Sequence, residues 1–206
     1  MAGVKFDRQL LLAAFDAIGE AALGAGTRLE ICVYGGSALM LASNFRFSTE
    51  DVDISAIEKP WPDWLRQEVN RVAARNGWHE DWLNDGIEMY LSKQASAVSD
   101  HLPFGSFPRQ QDRVGLFVQL PSARYLLALK LRALRMGDPK KGKTDFEDVR
   151  SLMQSLNLKS ADDAIAIMLS YFPKSADDTE KQRFVLNHLL RQPQDQHAPR
   201  YPETGL

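Results

Sequence analysis

Cysteine is all but missing. Cys32 stands alone in 206 residues, which excludes an internal disulfide and a multi-cysteine zinc site. Its place inside an apolar run marks it as a core residue rather than a redox centre. Histidine is scarce too, and His79, His101, His188 and His197 have spacings that fit no compact zinc set. Long hydrophobic runs are lacking: stretches such as Tyr125 to Leu129 fall far short of the ~20 apolar residues that a bilayer span needs. Met1 to Ala14 lacks the charge and cleavage pattern of a secretory leader, so a cytoplasmic location with no membrane partner is expected. Charge of one sign is also wanting. With 25 Lys and Arg against 27 Asp and Glu the formal balance is -2, which argues against whole-surface attraction to a polyanion and confines any such ligand to a local patch. What is present, 44% hydrophobic and 25% charged residues, is the composition of an ordinary globular chain, long enough to bury a core.

Phe6, Leu10, Ala14, Ile18 and Ala22 recur four apart and predict a helix from Phe6 to Leu23, stopped by Gly24 and Gly26. LEICVY, Leu29 to Tyr34, predicts a buried strand. A short helix SALMLAS and a polar loop NFRFSTE lead to a second strand, DVDIS. Trp61 to Asn76 predicts a helix ended by Gly77. GIEMYL reads as a short strand, residues 93–113 as a long loop, and VGLFVQL as a strand stopped by Pro121. Helical patterns follow: Ser122 to Met136, Thr144 to Leu156 with the capping-box spacing TDFE, Ser160 to Tyr171 and Ala176 to Leu190. The expected fold class is α/β (α+β): an α/β core over residues 1–120, a helical part over 121–192, and a polar, Pro-rich mobile tail over 193–206.

The stretch YGGSALMLASNFRFSTEDVDIS, residues 34–55, carries the chemistry. Residues two apart on a strand share a face, so Asp51 and Asp53 present two carboxylates on one side, about 7 Å apart along the backbone, while Val52 and Ile54 turn to a core. Magnesium takes oxygen ligands, commonly one or two carboxylates plus substrate phosphates. Upstream, Gly35 and Gly36 leave room for close approach at a strand-to-helix turn, and Ser37 is placed to cap the helix with its amide facing an anion. A GGS turn or a DxD taken alone is common punctuation. The order of strand, GGS, helix, loop and DVD on a strand is more specific.

In this order the chain resembles the nucleotidyltransferase superfamily, which includes DNA polymerase beta and the kanamycin nucleotidyltransferases and is marked by GG or GS at a helix start with DxD about a dozen residues on. Gly36, Ser37, Asp51 and Asp53 match that mark. GGSALML, STEDVDI, YLLALKLRALR and TDFEDVRSL are similar to small prokaryotic stand-alone members of toxin-antitoxin and AbiEii type, over about residues 29–156. The resemblance implies a mixed sheet flanked by helices, a helical C-terminal part, Mg2+ (or Mn2+) on Asp51 and Asp53, and transfer of a nucleoside monophosphate from a nucleoside triphosphate to a hydroxyl on protein, tRNA or a small molecule. It also implies a cognate toxin or antitoxin partner as one option. A catalytically inactive nucleotide- or partner-binding module of the same fold is the alternative.

Around this mark, Arg46, Ser48 and Thr49 either hold phosphate and orient the aspartates or serve the loop alone. Lys130, among apolar neighbours on its helix, needs an anionic partner: a nucleotide phosphate, or Asp145 or Asp148. Those two aspartates share a helix face and are read as first-turn caps or as site residues. Arg132, Arg135, Lys140, Lys141 and Lys143 form a basic region suited to nucleotide or RNA, or a solvated loop. Many superfamily members add a third carboxylate on a later strand. Glu88 is the candidate here, with His79, Glu80, Asp81, Asn84 and Asp85 as another source; VGLFVQL offers only Gln119 at the corresponding place.

Overall fold

Short apolar strands with alternating burial build the sheet, and amphipathic helices cover it. The computed structural model describes residues 4–43, 46–55, 59–134, 139–176, 179–191 and 201, with the backbone alone for 139–141. Five strands, β1 (Leu29–Val33), β2 (Val52–Ser55), β3 (Leu83–Asn84), β4 (His101–Phe107) and β5 (Leu116–Pro121), form one mixed sheet in the order β3-β2-β1-β5-β4. β1 runs parallel to β5 and antiparallel to β2; β2 and β3 are parallel; β4 and β5 are antiparallel. The chain is therefore α/β, with seven helices among the described residues: α1 (Arg8–Gly24), α2 (Gly35–Ala42), α3 (Asp63–Asn76), α4 (Ala123–Arg132), α5 (Pro139–Ser155), α6 (Ala161–Tyr171) and α7 (Glu180–Leu190). No described helix is long and apolar enough to cross a membrane.

The register sorts the two faces of the sheet. Ile31, Val33, Val52, Ile54, Leu116, Val118 and Leu120 are all buried on one face, where α1 lies against β4 and β5 and packs in turn on α3. The partners Cys32, Ser55 and Gln119 occupy the other face, together with Tyr34 and Asp53 one pleat further on. α4 leaves the end of β5 and gathers α5 and α6 around it, with α7 on α6.

Two glycines let α1 touch the sheet backbone to backbone. A Cβ on Gly115 would sit 2.0 Å from the Gly19 carbonyl oxygen, and a Cβ on Gly19 would sit 2.6 Å from the Phe107 carbonyl. Neither backbone can give way cheaply, since the Gly115 amide donates to Phe107 and its carbonyl accepts from Leu29. Gly115→Ala is expected to cost about 1–3 kcal/mol by overpacking, measured as a lower urea midpoint.

Cys32 is buried in β1. Burial pushes its thiol up from 9.0 to about 12, against a smaller opposing effect of a hydrogen bond with Tyr34. The unfolded chain therefore loses this proton first as pH rises. Stability from the thiol is complete below its ordinary value and is lost as pH climbs through about 12. At pH near 8 a thiolate-selective reagent is expected to modify Cys32 only as fast as the chain opens, and at least about 100-fold faster in urea; equal rates in both would exclude the buried thiol.

Several expectations are corrected by tertiary contacts. α1 begins at Arg8 with Asp7 as its side-chain cap, because Phe6 is taken into a bridge with Thr49 and the Trp78–Trp82 aromatic cluster; Leu10 is exposed. GIEMYL is a 3-10 turn, Gly86–Tyr90, not a strand. Residues 93–113 hold β4, an edge strand that the sequence hides because it carries Pro103 and Gly105. α5 starts at Pro139, so Thr144 lies inside the helix and TDFE is no capping box. Arg135, the side chains of Lys140 and Lys141, and the tail apart from Tyr201 lie outside the described residues.

Candidate functional site

The end of the sheet where β1 and β5 finish and β2 begins brings the sequence mark together. Gly35 follows β1 with φ +65, a conformation that favours glycine. A Cβ there would stand 2.9 Å from the Asp53 Oδ2, so the bare Cα is what lets helix α2 start against this carboxylate. The first rung of α2 runs from the Ala38 amide to the Tyr34 carbonyl, which leaves the amides of Gly35, Gly36 and Ser37 ahead of the intrahelical ladder. Tyr34, not Ser37, is the residue at the cap position. Ser37 is buried, and its hydroxyl donates to the Asp51 carbonyl at 2.6 Å.

That bond and a second one fix the approach to the aspartates. The Thr49 hydroxyl, also buried, lies 3.1 Å from the Asp51 carbonyl and 3.4 Å from Asp51 Oδ1. The Asp53 carbonyl accepts from the Tyr34 amide at 2.8 Å. Ser37 and Thr49 therefore hold the backbone of the DVD strand from below, leaving the Asp51 side chain exposed and that of Asp53 half-buried. Val52 and Ile54 are fully buried on the opposite face, as the alternation predicts. Thr49 orients Asp51, one of the two roles open to it in the sequence.

Arg46 occupies the position beside the glycines. A Cβ on Gly36 would fall 2.3 Å from Arg46 Nη1 and 2.5 Å from its central carbon, so the guanidinium lies flat on the bare Cα of Gly36. Its Nε donates to the Ser48 carbonyl at 3.2 Å, which is the part that Ser48 plays. Its Nη1 reaches Asp148 Oδ2 at 3.3 Å. Lys130 approaches the same oxygen at 2.5 Å and Asp145 Oδ1 at 3.4 Å. Both aspartates are buried, and these contacts tie the loop before β2 to helices α4 and α5. Of the two partners open to Lys130, the structure supplies Asp145 and Asp148. The first-turn cap reading of these aspartates does not hold, because α5 begins further back.

Glu88 stands on a turn that packs against β2. On its 3-10 turn it meets Lys59 Nζ at 2.7 Å, and Lys59 also meets Asp85 at 3.2 Å; Asp85 in turn accepts from the Trp61 indole at 3.0 Å. Glu88 and then Asp85 hold the exposed Lys59 ammonium above its usual range. No group of three or more His, Cys, Asp or Glu side chains arranged to share a metal occurs among the described residues. Gln119, opposite Cys32, brings no acid from β5.

Sequence reasoning missed a polar and aromatic cluster on the Asp53 face. The Tyr34 hydroxyl bonds His101 Nε2 and Ser55 Oγ, and the rings of Tyr34, Tyr125 and Tyr171 follow one another across the face. Tyr171 donates to Asp100 at 2.6 Å. Tyr201 donates to the Pro121 carbonyl at 2.7 Å, and burial, with a smaller effect of Cys32, pushes its phenol well above the tyrosine range. The alternation of Cys32 and Tyr34 within an otherwise aliphatic strand is the one local sign that this face is not plain core. No family model, no characterised protein and no solved structure matches this chain.

Proposed function

We propose that the chain is a metal-dependent nucleotidyltransferase, its sheet and helices a small version of that superfamily's fold. The observation that carries this reading is the contact between Gly35 and Asp53: a helix start with free amides and a carboxylate share one point, with only a bare Cα between them. Oxygen donors on an exposed and a half-buried aspartate suit Mg2+, with Mn2+ as a substitute. When bound there, the ion supplies charge neutralisation for the triphosphate and its leaving pyrophosphate. The amides of Gly36 and Ser37 hold the β and γ phosphates, aided by the α2 dipole. Arg46 takes the phosphate-facing role first given to Lys130, since it lies on Gly36 while Lys130 serves two carboxylates. Asp51 and Asp53, held from below, position the α-phosphate for in-line attack by the acceptor hydroxyl.

The test is incubation with α-labelled ribonucleoside triphosphates, Mg2+ and a cell extract. Label entering one protein, the tRNA fraction or a small-molecule fraction supports the reading and names the acceptor class; a labelled companion protein would place the chain in a toxin-antitoxin pair. A second reading, an inactive nucleotide- or partner-binding module, is favoured by the engagement of Glu88 with Lys59. Triphosphate binding with no label in any fraction would establish it.

A further inference from the structure

Two residues beyond Asp53, on the same face of β2, stands Ser55. Its hydroxyl is 3.2 Å from the Tyr34 hydroxyl, which is 2.9 Å from His101 Nε2. On the other side of the ring, His101 Nδ1 lies 3.2 Å from the Ser96 carbonyl oxygen. A carbonyl only accepts, so Nδ1 carries the hydrogen; Nε2 of the neutral ring is then a lone pair, and Tyr34 must donate to it. With its one hydrogen spent, Tyr34 accepts from Ser55. The direction of the chain is set end to end, from Ser55 through Tyr34 and His101 to the Ser96 carbonyl. Tyr34 is 2% exposed, while Ser55 and His101 at the two ends are half-buried. A buried phenol whose ionisation is pushed far up by desolvation, with Cys32 adding to it, passes a proton on without holding charge.

We propose that Ser55, Tyr34 and His101 form a proton relay that takes the proton of the acceptor hydroxyl during nucleotidyl transfer, with His101 as the final base. This rests on the transferase reading, and it supplies a base where β5 carries Gln119 rather than an acid. In the step, the acceptor oxygen bonds the α-phosphorus as the bond to the bridging oxygen breaks and pyrophosphate leaves. The acceptor proton passes to Ser55 Oγ, the Ser55 proton to Tyr34, and the Tyr34 proton to His101 Nε2. Both hydroxyls end protonated as they began, and the imidazole becomes imidazolium. The titratable groups set around His101 are Tyr34 from β1, Tyr125 from α4 with ring centroids 5.8 Å apart, and the preceding Asp100, whose carboxylate is held by the Ser96 amide and Tyr171. Ser55 touches the acceptor; Tyr34 and His101 act through it.

The experiment measures α-label transfer from ribonucleoside triphosphates to the fraction that the wild type labels, beside the binding of a fluorescent triphosphate. Glutamine at 101 keeps hydrogen-bonding capacity but cannot take the proton. His101→Gln is expected to slow transfer about 100-fold and to leave triphosphate affinity unchanged. Ser55→Ala should match that loss and Ser55→Thr, which keeps the hydroxyl, should restore transfer; this pair needs no change in the buried Tyr34. A wild-type rate in both His101→Gln and Ser55→Ala would overturn the relay and leave the transferase standing. Wild-type protein that neither binds triphosphate nor labels any fraction would overturn both.

Discussion

Asp53→Asn is expected to reduce nucleotidyl transfer by about 100-fold or more while leaving the fold intact. Asparagine keeps the shape that the bare Cα of Gly35 accommodates and the backbone bond to Tyr34, and removes the negative charge while turning one acceptor oxygen into an NH2 donor. If the carboxylate is there to carry Mg2+ against a triphosphate, charge is what matters. Asp51→Ala should lose as much activity with even less structural effect, because the side chain is exposed and its backbone is held independently by Ser37 and Thr49. The measurement is the initial rate of α-label incorporation over a Mg2+ titration, with Cys32 reactivity as a check on folding. Either variant labelling as fast as wild type would sink the assignment of the pair.

The second large effect is on stability. Asp148→Ala is expected to cost about 3–5 kcal/mol, read from urea unfolding. The Asp148 carboxylate is the one shared by Lys130 and Arg46, and its loss leaves a nearly buried ammonium with Asp145 alone and frees the guanidinium that lies on Gly36. Lys130→Met should also destabilise, by removing the cation that Asp145 and Asp148 both reach. An Asp148→Ala protein with the wild-type urea midpoint would show that this network does not hold the loop, α4 and α5 together.

These two results separate what was legible in the sequence from what was not. The DVD strand and the glycine turn were legible because both depend on the local rule that side chains alternate on a strand and that glycine marks close approach. Val52 and Ile54 face the core and Gly35 meets Asp53 as those rules require. Lys130 was legible as a cation in need of an anion. The choice between a phosphate and Asp145 or Asp148 was not, because the aspartates reach it only through the packing of α5 on α4. The strand read into GIEMYL did not form, because six residues are too few to tell a strand from a 3-10 turn. β4 was hidden for a different reason: an edge strand tolerates Pro103 and Gly105, the residues that announce a loop. The relay of Ser55, Tyr34 and His101 joins three strands and leaves no sequential trace except a tyrosine and a cysteine where aliphatic residues are usual.

The pairing of β1 with β5 has a consequence for the order of synthesis. β1, α2 and β2 leave the ribosome early, with the glycine turn and both aspartates already encoded, yet the parallel neighbour of β1 arrives only after α3, β3 and β4 have been made. Until then one edge of the apolar run LEICV has no strand beside it. Pairings across so much chain close slowly, and an uncovered hydrophobic edge is where nascent chains associate with one another. Truncation before Leu116 should therefore yield an aggregating fragment rather than a smaller working unit, and during translation this is the segment that a chaperone would be called on to shield.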